Sequence, residues 1–429
     1  MKRKVLSILL MVAMAASLLI GCGDKKSDDS TTEEDGGGQK TITVWGWDKN
    51  MNGYAMEQAQ KIYGDDVKVN FVEMAKADAL TKLHTVLGSG VKKDLPDIVL
   101  ISDLNAQGYL MSYPDAFREM SDKISYDDFA SYKKDAVSYD GKSYGVPFDT
   151  GVAGLFYRTD YMEEIGYDAD KMQNLTWDEY LSLGDKLKEK GHLLQTFNPN
   201  DIGEFQIMLQ SAGKWFTDED GKADFENNDA LKECYDIFKT LNDSDYCKVV
   251  SDWTEFSGAI NGGDVAAVLR GSWITSTLIA GEDQSGKWAV APIPKMSTEG
   301  AGQYSNQGGS SWFVLKDSAN SDLAADFMAK TFGGSKDLYN TLLSEKNIIG
   351  TYLPAADVDA YKEGSDFFDG QNVNELFADW TEKIPAVNTG AFSAEAQAAL
   401  LGVTPSILSG GDFADSMKEA AAQYEQSTK

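Results

Sequence analysis

Histidine and cysteine are nearly absent from this chain: two His (His84 and His192) and three Cys (Cys22, Cys234 and Cys247) stand in 429 residues. Zinc sites take three or four Cys, His or carboxylate ligands, so this scarcity excludes most His-rich zinc sites and any Cys-based metal framework. Positive charge is also short, with 39 Lys and Arg against 68 Asp and Glu and a net charge of −29. That balance argues against a nucleic-acid partner, because each phosphate contact needs a cation to displace a condensed counterion. No GxSxG, HExxH, complete P-loop or GxGxxG motif occurs, so the common signatures of hydrolase, metalloprotease and nucleotide sites are missing. What is present is an ordinary globular composition, 42% hydrophobic and 25% charged. Nine Trp in so acidic a chain are the abundance that asks for a functional reason.

The N-terminus reads as an address. Lys2, Arg3 and Lys4 precede an apolar run from Val5 to Ile20, too short to span a bilayer comfortably but suited to a signal-peptide core. Leu19-Ile20-Gly21-Cys22 resembles the bacterial lipobox, where cleavage before the Cys is coupled to lipidation of its thiol. Residues 1–21 are therefore expected to be a lipoprotein signal peptide and Cys22 the lipid acceptor. Residues 22–40 hold no large apolar side chain, so a disordered tether is expected there. No later segment has the length and apolarity of a membrane span. Cys234 falls on an apolar helical face with Leu231, Tyr235, Phe238 and Leu241. Nothing in the sequence fixes its geometry to Cys247, and two free thiols are favoured over a disulfide.

From Thr41 strand and helix patterns alternate. TITVWGW reads as a strand, MNGYAMEQAQKIY as a helix, DVKVNFVEM as a strand, ADALTKLHTVLGSG as a helix closed by Gly, and DIVLIS as a strand buried on both faces. This β-α-β-α-β start predicts a mostly parallel sheet, with ligands beyond the carboxyl ends of the strands. The residues at those ends are Trp45, Trp47 and Asp48, then Glu73, then Asp103. Further on, Asp140-Gly141 signals a hairpin, followed by apolar strands through Val146 and Phe156. Thr176-Trp177-Asp178-Glu179 has the form of a capping box at the start of a helix with Tyr180, Leu183 and Leu187 on its buried face and Gly191 at its end. Thr217 to Lys222 superficially suggests a calcium loop but lacks the EF-hand spacing, and reads as a hairpin turn.

At this point a resemblance becomes specific. DGKSYGVPFD, LFYRTDYMEEIGYD, LTWDEYLSLGDKLKEKG, FSGAINGGDVAAVLRGSW, KWAVAPIPK, QGGSSWFVLKDSANSDLAADFMAKTF and LLGVTPSILSGGDFADSMKEA follow one another in the order found in the bacterial extracellular solute-binding proteins (family 1), the carbohydrate-binding lipoproteins of ABC importers. The chain resembles that family from the signal peptide nearly to its end. The resemblance implies an α/β fold of the two-lobed periplasmic-binding-protein type (type II). Each lobe would be a mostly parallel sheet flanked by helices, with the ligand cleft between lobes. By order, lobe 1 would hold 41–148 plus 309–352 and lobe 2 would hold 149–308 plus 353–429. The chain would cross near Pro147-Phe148 and Gly308-Gly309, where a few residues must absorb the φ/ψ change of closure.

A pyranose offers an apolar face and a rim of hydroxyls, so its site calls for flat aromatics beside Asp, Asn, Gln or Arg. The candidates are Trp45, Trp47, Asp48 and Asp103 on lobe 1, with Asp149 at the first crossing. Lobe 2 offers Trp215, Trp253, Arg270 and Trp273; the second crossing offers Gln307, Gly308, Gly309 and Ser310; Tyr352 completes the set. Trp177, Trp288 and Trp380 read as packing, Trp312 as either, and Arg270 equally as a structural ion pair. The resemblance thus implies a binding protein rather than an enzyme, with no cofactor or metal. It would be a monomer on the extracellular face of the cell membrane, held by lipid on Cys22 and delivering a sugar to permease subunits. Several aromatics suggest an oligosaccharide, and WGWD leans towards plant-derived xylo- or manno-oligosaccharides. A glycoside hydrolase is the alternative, since it too wants Trp platforms and carboxylates; a scaffold would need repeats or an exposed apolar face, and neither is visible.

Overall fold

The computed structural model describes residues 40–92, 95–218 and 222–429. The expected signal peptide, Cys22 and all but the last residue of the expected tether lie outside them. Lys40, assigned above to the tether, instead opens the first strand, Lys40–Gly46.

The first sheet has five strands in the order Val67–Glu73, Lys40–Gly46, Ile98–Ser102, Ser310–Val314, Gly145–Asp149. The first three run parallel, as the β-α-β-α-β pattern requires, and Ile98–Ser102 is buried along its whole length. Ser310–Val314 runs antiparallel to both of its neighbours. The second sheet mirrors this plan. Its strand Ala153–Arg158 is antiparallel to Ala267–Gly271 and Trp288–Ala291. Beyond Ala267–Gly271, the N–H groups of Ala266 and Ala267 donate to the carbonyls of Leu193 and Leu194 at 2.7 and 2.8 Å. These bonds lead on to Gln195–Phe197, which is parallel to Cys247–Val249. In each sheet the reversed strand is the one that arrives directly from the other sheet, so its direction follows from the crossing.

The chain leaves the first sheet at Asp149 and enters the second at Ala153; it returns to the first at Ser310. The crossing stretches lie side by side: Ala153 N–H donates to Ser305 O at 2.8 Å and Gln307 N–H to Gly151 O at 2.7 Å. One apolar cluster surrounds the first sheet, including Val44, Ile98, Leu100, Trp312 and Phe327. Two others cover the two faces of the second, one around Leu155, Tyr180 and Phe205, the other around Phe156, Val268 and Trp288.

Local signals in the sequence are realised. Asp140 and Gly141 take φ of 49° and 72° between Ser138–Tyr139 and Lys142–Ser143, as a type I′ hairpin requires. Asp218 N–H donates to Lys222 O at 2.9 Å and Thr217 bridges Ala223, so the flanks of the expected hairpin turn pair, while 219–221 lie outside the described residues. Thr176 Oγ1 accepts the Glu179 N–H at 3.2 Å while Glu179 Oε2 accepts the Thr176 N–H at 2.9 Å, opening helix Trp177–Glu189. Those bonds to Thr176 hold the Glu179 carboxyl below its usual range. Thr176→Ala should lower stability by about 1 kcal/mol without touching ligand affinity, as chemical denaturation would read. Cys234, buried, and Cys247, half-buried, are free thiols, in line with the favoured reading.

Candidate functional site at the crossing

The strand ends of the first sheet carry the expected rim, but they use its residues unequally. Trp47 lies just beyond Lys40–Gly46, half-buried, in front of a single π-helical turn, Lys49–Gly53. Asp48, at φ 53°, caps that turn: its Oδ1 accepts the N–H groups of Asn50 and Met51 at 3.1 and 3.2 Å. Glu73 Oε1 accepts Lys49 N–H at 2.8 Å, and Asn52 Nδ2 donates to Trp47 O at 2.8 Å. Asp48 is therefore spent on the turn that follows Trp47. Lys76, whose type and position gave no signal in the sequence, opens helix Lys76–Ser89 with its Nζ 5.8 Å from the Trp47 ring centre. The residue is exposed, yet partial loss of water around its ammonium lowers it below the usual lysine range, against the opposing pull of Asp103 and Asp149.

Three expected contacts are corrected by burial or pairing. Trp45 is 4% exposed and packs in the first apolar cluster with the Lys82 ammonium 4.1 Å from its ring centre, so it offers no open face. Trp215 is 7% exposed; its Nε1 donates to Ser393 Oγ at 2.7 Å inside the second sheet's cluster. Trp215→Ala should cost about 3–5 kcal/mol of stability, measured by chemical denaturation, as a large buried side chain lost from a core. Asp103 is also buried: Oδ2 accepts Lys133 Nζ at 2.5 Å and Oδ1 accepts Ser311 Oγ at 2.9 Å. Burial pushes its carboxyl upward, while Lys133 and Ser311 hold it down. Both oxygens are already partnered and the residue is only 7% exposed, so it presents little surface to a sugar hydroxyl.

Arg270 resolves to the structural alternative. Its Nη1 lies 2.6 Å from Glu204 Oε1, and its guanidinium sits 5.0 Å from the Phe256 ring centre. Burial raises the Glu204 carboxyl, opposed by Arg270. Tyr352 is half-buried and stacks on Tyr339 at 5.5 Å and 24°. Trp177, Trp288 and Trp380 are core residues as expected, and Trp312 joins them, fully buried.

The remaining expected residues converge at the crossing. Trp273 and Trp253 are 43% and 54% exposed, with ring centres 6.1 Å apart at 44°. Trp253 rests on Phe256 at 5.2 Å and 29°, the ring that Arg270 covers. Trp273 Nε1 donates to Gln307 O at 2.8 Å. Gln307 is itself a brace: Oε1 accepts Gly271 N–H at 3.3 Å and Nε2 donates to Gly203 O at 3.1 Å. Gly308 and Gly309 follow with φ of 119° and 92°, values that favour glycine. Asp149 commits Oδ1 to Ser310, whose N–H and Oγ both donate to it at 2.7 Å.

Sequence reasoning missed a cavity of about 510 Å³ whose walls include Gln107, Met111 and Tyr139 on one side and Asn388, Thr389 and Phe392 on the other. These residues carry no motif; three stretches of the chain, 107–111, 135–141 and 386–392, bring them together. Among the described residues no helix is long and apolar enough to cross a membrane.

Residues 55–369 match the family described as bacterial extracellular solute-binding protein. The chain belongs to this family. This solute-binding protein is 42% identical to the lactose-binding protein of Rhizobium radiobacter over 392 residues, 90% of its own length and 93% of the relative's. It is 25% identical to the arabinooligosaccharide-binding protein of Bacillus subtilis (strain 168) over 80% of each chain. A crystal structure of an extracellular solute-binding protein family 1 member superposes with a TM-score of 0.76, covering 91% of the solute-binding protein and 100% of that chain at 16% identity. The fold is therefore the two-lobed α/β fold expected.

Proposed function

We propose that this protein captures a sugar between its lobes and hands it to an ABC importer, anchored outside the membrane through lipid on Cys22. The observation that carries the reading is the pair Trp253 and Trp273, two indoles left in water beside the crossing. Exposed indoles are unfavourable unless a flat apolar partner covers them, and a pyranose face is such a partner. Each indole is held from behind, Trp273 by Gln307 O and Trp253 by Phe256, so little side-chain entropy is lost when a ring stacks. Two adjacent platforms suit at least two sugar rings. Trp47 adds a half-buried indole on lobe 1, with the Lys76 ammonium 5.8 Å from its ring centre as a donor for hydroxyls. Contacts from both lobes would favour a closed form, and the permease would receive that form.

The lactose-binding relative supports a lactose-type disaccharide as the first ligand. Arabinooligosaccharide-binding relatives support plant-derived oligosaccharides as the second reading, the class to which the xylo- or manno-oligosaccharide expectation belongs. Hydrolysis is disfavoured by how the carboxylates are used: Asp48 caps a turn, Asp103 pairs with Lys133, Asp149 holds Ser310 and Glu204 pairs with Arg270.

A thermal-shift screen of lactose, arabino-, xylo- and manno-oligosaccharides tests the reading. A ligand at about 100 times Kd adds about 2.7 kcal/mol to stability, which raises Tm by several degrees. A flat response to every sugar would remove sugar capture as the function.

A further inference from the structure

Beneath the crossing lies a lysine that the sugar site does not use. Lys133, in the short helix Ser131–Ala136, is completely buried, and its ammonium has three acceptors. Asp103 Oδ2 accepts at 2.5 Å, Ser310 O at 2.8 Å and Asp149 O at 3.0 Å. These acceptors belong to three different strand ends. Asp103 follows Ile98–Ser102, Asp149 closes the strand that leads into the first crossing, and Ser310 opens the strand that leads out of the second.

The sheet is irregular at the same place. The pairing of Ser310–Val314 with Gly145–Asp149 shifts register between Ser310 and Ser311. A bulge interrupts the ladder and leaves backbone groups in need of other partners. The Lys133 ammonium takes two such carbonyls, those of Asp149 and Ser310. The same knot touches the crossing glycine: a Cβ on Gly309 would stand 2.6 Å from Asp103 Oδ2, 3.1 Å from Asp149 O and 3.5 Å from Lys133 Nζ. The adjoining Tyr132 hydroxyl donates to Thr150 Oγ1 at 2.5 Å, so the helix that carries Lys133 grips the first crossing twice.

A buried ion pair is a poor source of stability, since desolvating both charges offsets most of their attraction, and apolar residues of similar volume commonly do as well. A full charge kept here therefore points to geometry. We propose that Lys133 is a positioning residue that fixes the pivot of lobe motion, holding both crossing segments at one point of lobe 1 so that rotation is confined to 151–152 and 305–308. The pivot itself rests on the two-lobed fold; only its effect on affinity rests on the sugar reading.

The test uses the full chain carrying Lys133→Met, which keeps the side chain's length and removes the charge, beside Lys133→Met with Asp103→Leu, which removes both charges. Circular dichroism confirms the fold. The double substitution keeps the test open if the single one unfolds, because no uncompensated charge remains buried. The readout is small-angle scattering of the ligand-free protein, which needs no sugar. A loosened pivot predicts a broader distribution of lobe separations and a larger radius of gyration in a folded variant. Where wild type binds a sugar, the single variant should bind it at least tenfold more weakly. Wild-type scattering in a folded variant would overturn the proposal. A wild type that binds no sugar would sink the function proposed above while leaving this result standing.

Discussion

Trp273→Ala is expected to weaken sugar binding about 100-fold in calorimetric titration, the loss typical of a central aromatic anchor. Trp273 is tied to the crossing by its Nε1 bond to Gln307 O and is 43% exposed. Removing it deletes the stacking area and also frees the Gln307 carbonyl that the indole holds in place. Trp273→Phe separates the two contributions: the ring remains and the hydrogen bond goes, so an intermediate loss of about tenfold is expected. The fold should survive both changes, since the indole is largely outside the core. Unchanged affinity in Trp273→Ala would remove this residue from the site.

Gly151→Ala should act on stability and binding together. A Cβ at Gly151 would overlap the carbonyl oxygen of Gln307, a backbone atom that cannot swing aside as a side-chain tip can. The two chains cannot separate cheaply either, because Gln307 N–H donates to Gly151 O at 2.7 Å and Gly151 N–H donates to Asn306 Oδ1 at 2.8 Å. The substitution is expected to cost about 3 kcal/mol in chemical denaturation, the upper range for overpacking a tight contact. It should also weaken sugar binding at least tenfold by spreading the two crossing segments that carry Trp273's anchor. An alanine variant with wild-type stability would mean that the crossing yields more easily than its hydrogen bonds suggest.

The large features of the fold were legible because they repeat local rules. Alternating apolar runs gave the first sheet, Asp140-Gly141 the hairpin, and Thr176 with Glu179 the capping box. The ordered motifs carried the resemblance that implied the two lobes. Trp273 was picked out because the resemblance implies a ligand contact at the Gly-x-Trp that follows Arg270, and the structure leaves its indole 43% exposed beyond the strand Ala267–Gly271. Trp45 and Trp47 show the limit: both stand near the end of one strand, but Trp45 is still inside its pleat and packs in the core, while Trp47 lies beyond it. Asp103 and Arg270 were chosen for their chemistry, yet each is taken by a partner distant in sequence, Lys133 and Glu204 respectively. Trp215 finds Ser393, 178 residues away. Such pairings are set by the tertiary arrangement and leave no local pattern. Lys133 is the extreme case, a lysine in a polar stretch whose three acceptors sit at the ends of three strands.

The measurement that bears most directly on sugar capture is calorimetric titration of the protein with lactose, followed by chromatography of the recovered sugar. Saturable binding near one sugar per chain, with the lactose returned intact, is the predicted result. Release of galactose and glucose, or no heat from lactose and from arabino-oligosaccharides alike, would contradict it.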